Sequence, residues 1–300
     1  MGPEVVDGHA GLAYAVWVPA SDAATISAAA TLRRIVMDCR NEIATQRAAV
    51  LATGDPSSIH DIRVALRRLR AAIGVFRPVV GDQREVQLID SEAQRLARAV
   101  GPARDLQVFL LETAPDAPSR IARIGEKLVK RRVGAARAVL SGARFARFEQ
   151  RLAQFAADCP DVGGEPLQVF ARHVLDRCAD KVRRRGRRLA HLRVRELHRL
   201  RIASKKLRYA VGFLGSAFRP DATKAYGETA VELQDALGSM NDRAVSGQVL
   251  ADIAQERRSS RKVKKSCDRL AVRLVHPSKG QRKRLKQAWK AFRKSEPFWR

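Results

Sequence analysis

The sequence predicts an all-α protein that is internally duplicated. Three observations carry this expectation. Alanine, leucine and arginine recur at a helical period along almost the whole chain, and alternating β-branched runs are missing. The interruptions combine a helix-stopping Pro or Gly with a nearby Asp, Ser or Thr that can cap the next helix. One His-Arg pattern occurs twice, far apart in the chain.

The elements follow from those interruptions. A first helix is expected over residues 22–52, stopped at Thr53-Gly54-Asp55-Pro56. A second runs over 57–77 and ends at Arg77-Pro78. A third covers 82–113, between Gly81-Asp82 and the turn residues Ala114-Pro115 to Pro118. The next spans 119–158 and is closed by Cys159-Pro160 to Pro166. Beyond it, 167–214 reads as helix with a break around 191–195, and Arg219-Pro220 precedes a helix over 221–255. The last segment, 257–296, carries a break at His276-Pro277.

The repeat organises these helices. Ile59-His60-Asp61-Ile62-Arg63-Val64-Ala65-Leu66-Arg67-Arg68-Leu69-Arg70 is matched by Leu197-His198-Arg199-Leu200-Arg201-Ile202-Ala203-Ser204-Lys205-Lys206-Leu207-Arg208. After each copy comes a second matched pair, Val100-Gly101-Pro102-Ala103-Arg104-Asp105 and Leu237-Gly238-Ser239-Met240-Asn241-Asp242. Order and separation are both kept. The expected organisation is an N-terminal segment over 1–21 and one domain over 22–300. Its halves cover about 22–160 and 161–300 and meet near the Pro160–Pro166 linker.

Charge narrows the partner. The chain holds 58 Lys plus Arg against 31 Asp plus Glu, a net of +27, which points to a polyanion. The excess is uneven, +6 over residues 1–150 and +21 over 151–300, so an extended anion should be held more firmly by the second half. Aromatics are only 5%, which argues against single-strand base stacking. Cys39, Cys159, Cys178 and Cys267 have neither C-x-x-C nor zinc spacing, and reduced thiols fit a cytosolic protein. The apolar stretch from Ala10 to Ala20 is too short to span a bilayer, and no signal-peptide basic segment precedes it. The expected location is the cytoplasm, without membrane insertion.

On a helical wheel the repeated pattern has a specific geometry. Ile62, Leu66, Leu69, Ile73 and Phe76 share one side, and His60, Arg63, Arg67 and Arg70 form a stripe along its border. The second copy places Leu200, Leu207, Val211 and Leu214 on its apolar side, and His198, Arg201, Lys205 and Arg208 on its basic stripe. A stripe flanking the core is suited to line a groove, whereas an ordinary solvated face is centred away from the core. Four cationic groups along about two and a half turns span roughly 15 Å, which suits a row of phosphates better than one small anion. Arg offers a fork for two phosphate oxygens and Lys a point charge.

These residues resemble a known family. His60-x-x-Arg63-Val64-x-x-Arg67-Arg68-Leu69-Arg70 and His198-x-x-Arg201-Ile202-x-x-Lys205-Lys206-Leu207-Arg208-Tyr209 are similar to the paired signatures of the conserved histidine α-helical domain, or CHAD, family. Gly101-x-x-Arg104-Asp105 and Gly238-x-x-Asn241-Asp242 resemble its second motif, and Trp289-x-x-Phe292 with Phe298-Trp299 its ending. The resemblance implies two pseudo-symmetric helical bundles around a basic central groove that binds inorganic polyphosphate, and an association with polyphosphate granules. No E-x-E-x-K motif of an accompanying triphosphate-tunnel catalytic domain occurs. Asn241 departs from the pattern set by Arg104.

Competing sites are weaker. Asp105 and Asp242 are expected to pair with nearby arginines and fix helix orientation. Glu228, Glu232 and Asp235 share a helical face that reads as a salt-bridge face before a metal site. His191 and His198 lack a third ligand, and no P-loop, dinucleotide-binding glycine motif or H-E-x-x-H occurs. Leu285, Trp289 and Phe292 give the last helix one packing face, so it is expected to dock on the bundle. The basic run Arg257–Lys265 reads as a solvated face.

The sequence therefore predicts a non-enzymatic polyphosphate-binding protein without metal or other cofactor. First contacts fall to His60, Arg63, Arg67, Arg70, His198, Arg201, Lys205 and Arg208. Arg68, Lys206 and the stripe Arg177, Lys181, Arg184 and Arg188 form a second tier. The alternatives are a protein reading the RNA backbone, which keeps nucleic acid open as a non-specific partner, and an accessory subunit of polyphosphate metabolism.

Overall fold

The computed structural model describes residues 26–81, 83–113, 118–159, 165–256, 260–275 and 279–300. The N-terminal segment 1–21, the expected helix start over 22–25, the linkers at Asp82, 114–117, 160–164 and 276–278, and residues 257–259 of the basic run lie outside them. Among the described residues the structure is helical, with one isolated bridge between Ser27 and Pro166 and no strand. In chain order the helices are α1 (Ala28–Thr53), α2 (Pro56–Val75), α3 (Arg77–Val80), α4 (Arg84–Thr113), α5 (Ser119–Ser141) and α6 (Ala143–Asp158). They continue as α7 (Leu167–Gly186), α8 (Val194–Leu214), α9 (Pro220–Gln255), α10 (Arg261–Val275) and α11 (Lys279–Lys294).

The all-α expectation holds, with differences in the breaks. The segment expected over 119–158 is two helices. Gly142 takes an extended conformation (φ −75°, ψ 154°) between α5 and α6, where a lone glycine in a helical pattern gave no decisive stop. The break expected at 191–195 starts earlier, because α7 ends at Gly186 and a short 3-10 turn over Leu189–His191 precedes α8. One further turn, α3, follows Phe76, and the last segment divides into α10 and α11.

The chain forms two compact units that do not follow the two sequence halves. One, here the N-terminal unit, contains Leu32–Pro160 and Gly238–Lys283; the C-terminal unit contains Asp161–Leu237 and Arg284–Arg300 with the segment ending at Thr31.

In the N-terminal unit α2 packs along α4, and α4 also packs on α5 and α6. Gly54 turns the chain into α2 at φ +72°, a left-handed conformation that favours glycine. Asp55 caps α2 by accepting from the Ser57 amide at 2.9 Å, and Pro56 follows where no helical N–H is needed. The predicted apolar stripe, Ile62, Leu66, Leu69, Ile73 and Phe76, is fully buried. Burial of each such side chain stabilises the unit by about 1.5–3 kcal/mol. A second core joins distant segments: Leu106, Phe109, Ile121 and Leu128 pack with Val249, Leu250, Ile253, Val263 and Cys267.

In the C-terminal unit α7 packs on α8, and Phe170, Val174, Leu175 and Val182 of α7 and Leu200, Leu207 and Val211 of α8 are buried. Gly186 allows the Trp289 ring to lie against the α7 backbone, since a Cβ there would sit 2.2 Å from a ring carbon. The expected docking of the last helix is present, with Leu285, Ala288, Trp289 and Phe292 buried. Tyr226 meets Phe292, Phe298 and Trp299 edge-on, and the Trp299 indole donates to Asp176 Oδ1 at 2.9 Å. No helix among the described residues is long and apolar enough to cross a membrane.

Candidate functional site

The α2 stripe lies on the shoulder of the buried face. His60, Arg63, Arg67, Arg68 and Arg70 are each half-buried, which places them beside the core and away from the fully solvated side. The facing helix α4 holds two of them. Arg63 Nη1 donates to Gly101 O at 2.7 Å and to Asp105 Oδ1 at 2.6 Å, the pairing anticipated for Asp105. Arg70 Nε donates to Asp90 Oδ1 at 2.8 Å. Arg68 points elsewhere and pairs with Asp38 of α1 at 3.6 Å. Arg63 thus commits one nitrogen to α4, and its Nε and Nη2 stand outside those two bonds.

His60 is the most electrically perturbed member. Its pKa is pushed down from 6.5 to about 4, first by burial and then by the positive charges of Arg104, Arg67 and Arg63. At neutral pH the imidazole is therefore uncharged, with three guanidinium groups acting on it. Such a cluster repels a proton and attracts an anion for the same reason.

Arg104 is a residue that sequence reasoning did not place beside His60. It sits on α4, donates to Gln107 Oε1 at 3.0 Å, and acts on the same imidazole as the α2 arginines. Its place in the repeated Gly101-x-x-Arg104-Asp105 motif was the available signal. The other copy differs here, and the side chains of Asn241 and Asp242 lie outside the described residues.

The α8 stripe is more open. His198 and Lys206 are exposed, while Arg201, Lys205 and Arg208 are half-buried. The Arg208 guanidinium lies 5.3 Å from the Tyr209 ring centre. The second-tier residues of α7, Arg177, Lys181, Arg184 and Arg188, are all exposed. The thiol of Cys178 is pushed up by burial, and Lys206, Arg177 and Lys181 pull it back. Charges from α7 and α8 thus reach one buried thiol, which brings the second-tier residues Arg177, Lys181 and Lys206 around it. Arg185 adds a direct tie, donating to Arg199 O at 2.6 Å. Glu228, Glu232, Asp235 and His191 are exposed, and no three metal-binding side chains are grouped among the described residues.

A family model for the CHAD domain matches residues 34–251, more than two thirds of the chain. The chain belongs to the CHAD domain family. That family is associated with polyphosphate binding. The fold of this CHAD chain is similar to the crystal structure of the CHAD domain from the plant Ricinus communis, with a TM-score of 0.78 at 23% identity. That likeness covers 94% of this chain and 96% of the plant domain. PptA from Streptomyces chartreusis is similar at a TM-score of 0.58 and 15% identity, over 89% of this chain and 99% of PptA. No curated protein matches the CHAD chain.

Proposed function

We propose that this CHAD domain binds linear inorganic polyphosphate, without turnover, through the basic stripes of α2 and α8. The observation that carries the reading is the neutral, half-buried His60 surrounded by the charges of Arg63, Arg67 and Arg104. A chain of phosphates supplies the negative charge this cluster lacks. Capture begins with long-range attraction and release of counterions from the polymer. Arg63 and Arg70 are already oriented by Asp105 and Asp90, so less side-chain freedom is lost when phosphate oxygens arrive. His60 donates one hydrogen bond and gains a proton as phosphates offset the arginines. His198, Arg201, Lys205 and Arg208 serve the same purpose on α8, with Arg177, Lys181, Arg184, Arg188 and Lys206 adding attraction from their exposed positions. In the cell this reading places the protein in the cytoplasm on polyphosphate granules.

Competition at physiological salt tests it. Labelled long-chain polyphosphate is displaced by unlabelled polyphosphate but not by RNA or DNA of matched charge. Equal displacement by nucleic acid overturns the reading in favour of a general backbone binder. Chain shortening on addition of magnesium or manganese identifies an enzyme instead. Replacing Arg63, Arg67, Arg201 and Lys205 together by Gln is expected to abolish binding while the helical signal is kept.

A further inference from the structure

The N-terminal unit carries a cleft that neither stripe uses. Leu110 and Leu111 of α4, Val129 and Val133 of α5, and Pro56 at the start of α2 line a cavity of about 550 Å³. The volume falls within the range of small-ligand clefts, about 300–1,000 Å³. Its floor depends on Gly125, because a Cβ there would sit 2.6 Å from Leu110 Cδ2 and force that side chain aside. One end is bounded by the α1–α2 turn, where a Cβ at Gly54 would lie 3.5 Å from Val133 Cγ1 and 3.6 Å from Arg137 Nη1. Leu111 is 66% exposed in the cleft, a large apolar side chain left without cover.

The polar groups of the cleft are few and follow an order along α5. Glu126, Val129, Lys130, Val133 and Arg137 line it at the spacing of one helical face. Glu126 and Lys130, four positions apart, offset each other in charge, which leaves Arg137 as the net charge of the cleft. Its Nη2 is fixed by donation to Leu51 O, and its Nη1 lies beside Gly54 at the end of the cleft. From Glu126 to Arg137 is roughly 16 Å of helix, which matches an extended chain of about twelve carbons. The occupant therefore needs an apolar body and a single negative charge at one end. A phosphate chain would lose its water against Leu110, Leu111, Val129 and Val133 without gaining partners. A peptide would bring N–H and C=O groups to walls that offer them little. The polar side chain on the α4 wall is Gln107, whose Oε1 already accepts from Arg104 at 3.0 Å.

We propose that this α4–α5 cleft binds a medium-chain fatty acid, with its carboxylate on Arg137 and its hydrocarbon chain along Val133, Val129, Leu110 and Leu111. The guanidinium nitrogens outside the Leu51 bond pair with the carboxylate. The chain covers Leu111 and the other apolar walls, and that burial supplies most of the affinity. Glu126 repels the carboxylate in the reversed orientation, so the ligand lies in the cleft with one polarity. The site shares no residue with the stripes of α2 and α8, and it stands whether or not they bind polyphosphate.

Calorimetry on the full chain tests this, with laurate below its micelle-forming concentration at physiological salt. Laurate is expected to saturate one site, and octanoate, a shorter chain with the same head, to bind at least ~10-fold more weakly. Dodecyltrimethylammonium has the same chain and the opposite charge, and is expected to bind at least ~10-fold more weakly than laurate. Leu111→Gln, a change at a mostly exposed position, should weaken laurate by at least ~5-fold. Arg137→Gln should remove most of the advantage of laurate over the cationic amphiphile. Arg63→Gln combined with Arg67→Gln should leave laurate affinity unchanged. Absence of saturable laurate binding overturns the proposal. So does binding that survives both Leu111→Gln and Arg137→Gln, which would reveal uptake of the anion by the basic surface at large. A loss of laurate in the α2 variant overturns it as well, by placing the ligand on the stripe. The stripe reading is judged separately with long-chain polyphosphate, so either can fail without the other.

Discussion

His60 links the stability of the protein to pH. Its pKa is about 4 in the folded chain and near 6.5 when unfolded. Between those values the unfolded state binds more protons, so the His60 contribution to stability is intact above pH 6.5 and is lost as pH falls toward 4. Urea midpoints measured from pH 7 to pH 4.5 should fall more steeply for the wild type than for His60→Gln. Polyphosphate reverses the repulsion that holds the imidazole neutral, so binding should take up a proton near pH 6. Calorimetry in two buffers of different ionisation enthalpy measures that uptake, and it should vanish in His60→Gln. Asp105 holds the neighbouring Arg63. Asp105→Ala leaves a half-buried guanidinium with only the Gly101 carbonyl and should cost about 1–2 kcal/mol, read as a lower denaturant midpoint. The stripe was legible in the sequence because helical spacing fixes which residues share a face, and the pairing of Asp105 with an arginine because Asp105 recurs in the second repeated motif. The Asp90 and Asp38 partners and the role of Arg104 were not, because spacing within one helix says nothing of what the next helix brings against it.

At the scale of elements, most helices could be read from their stops, and the misses have a common cause. Asp55-Pro56 announces α2 because it supplies both a cap and a residue that needs no helical donor. Gly142 gives no comparable signal, since a single glycine costs a helix only about 1 kcal/mol and is often kept inside one. The converse is Pro102, which lies inside α4 without ending it. Gly186 shows a different limit. Its purpose depends on Trp289, a residue of another helix that no local pattern connects to it. Gly186→Ala should destabilise the protein by about 1–3 kcal/mol through overpacking against the indole. Trp299→Ala should cost about 3–5 kcal/mol, because it empties a fully buried aromatic site and removes the indole bond to Asp176. Thermal or urea unfolding of both variants checks these values, and a neutral Gly186→Ala would mean that α11 is free to move away from α7.

For the whole molecule, the net charge of +27 has acquired a distribution. Part of it is balanced internally, as in the pairs of Arg132 with Asp252, Arg144 with Glu92 and Arg151 with Glu85. Polyphosphate affinity should therefore fall linearly on a logarithmic salt scale, flattening by about 0.7–0.9 in slope for each stripe contact removed. A Gln substitution among the exposed Arg261–Lys265 charges should shift affinity by much less than Arg67→Gln, as fluorescence titration at two salt concentrations would show. The duplicated pattern suggested a division near residue 160; the compact units do change there, between Pro160 and Asp161, but residues 238–283 group with the first half. Sequence similarity between halves records a pattern, whereas a unit is defined by which apolar faces meet, and α9 is divided between the two units at Leu237.

That second core has a consequence for synthesis. Arg132 meets Asp252, 120 positions further on, beside the cluster in which Phe109 and Leu128 wait for Val249 and Ile253. A ribosome making this chain exposes the apolar side of α4 and α5 for as long as it takes to translate everything in between, roughly 6–25 s at ordinary elongation rates. During that interval the nascent chain is an aggregation hazard despite its charge, and a holdase chaperone is the natural cover for it. The two sequence halves made as separate polypeptides should each be insoluble and should recover when produced together.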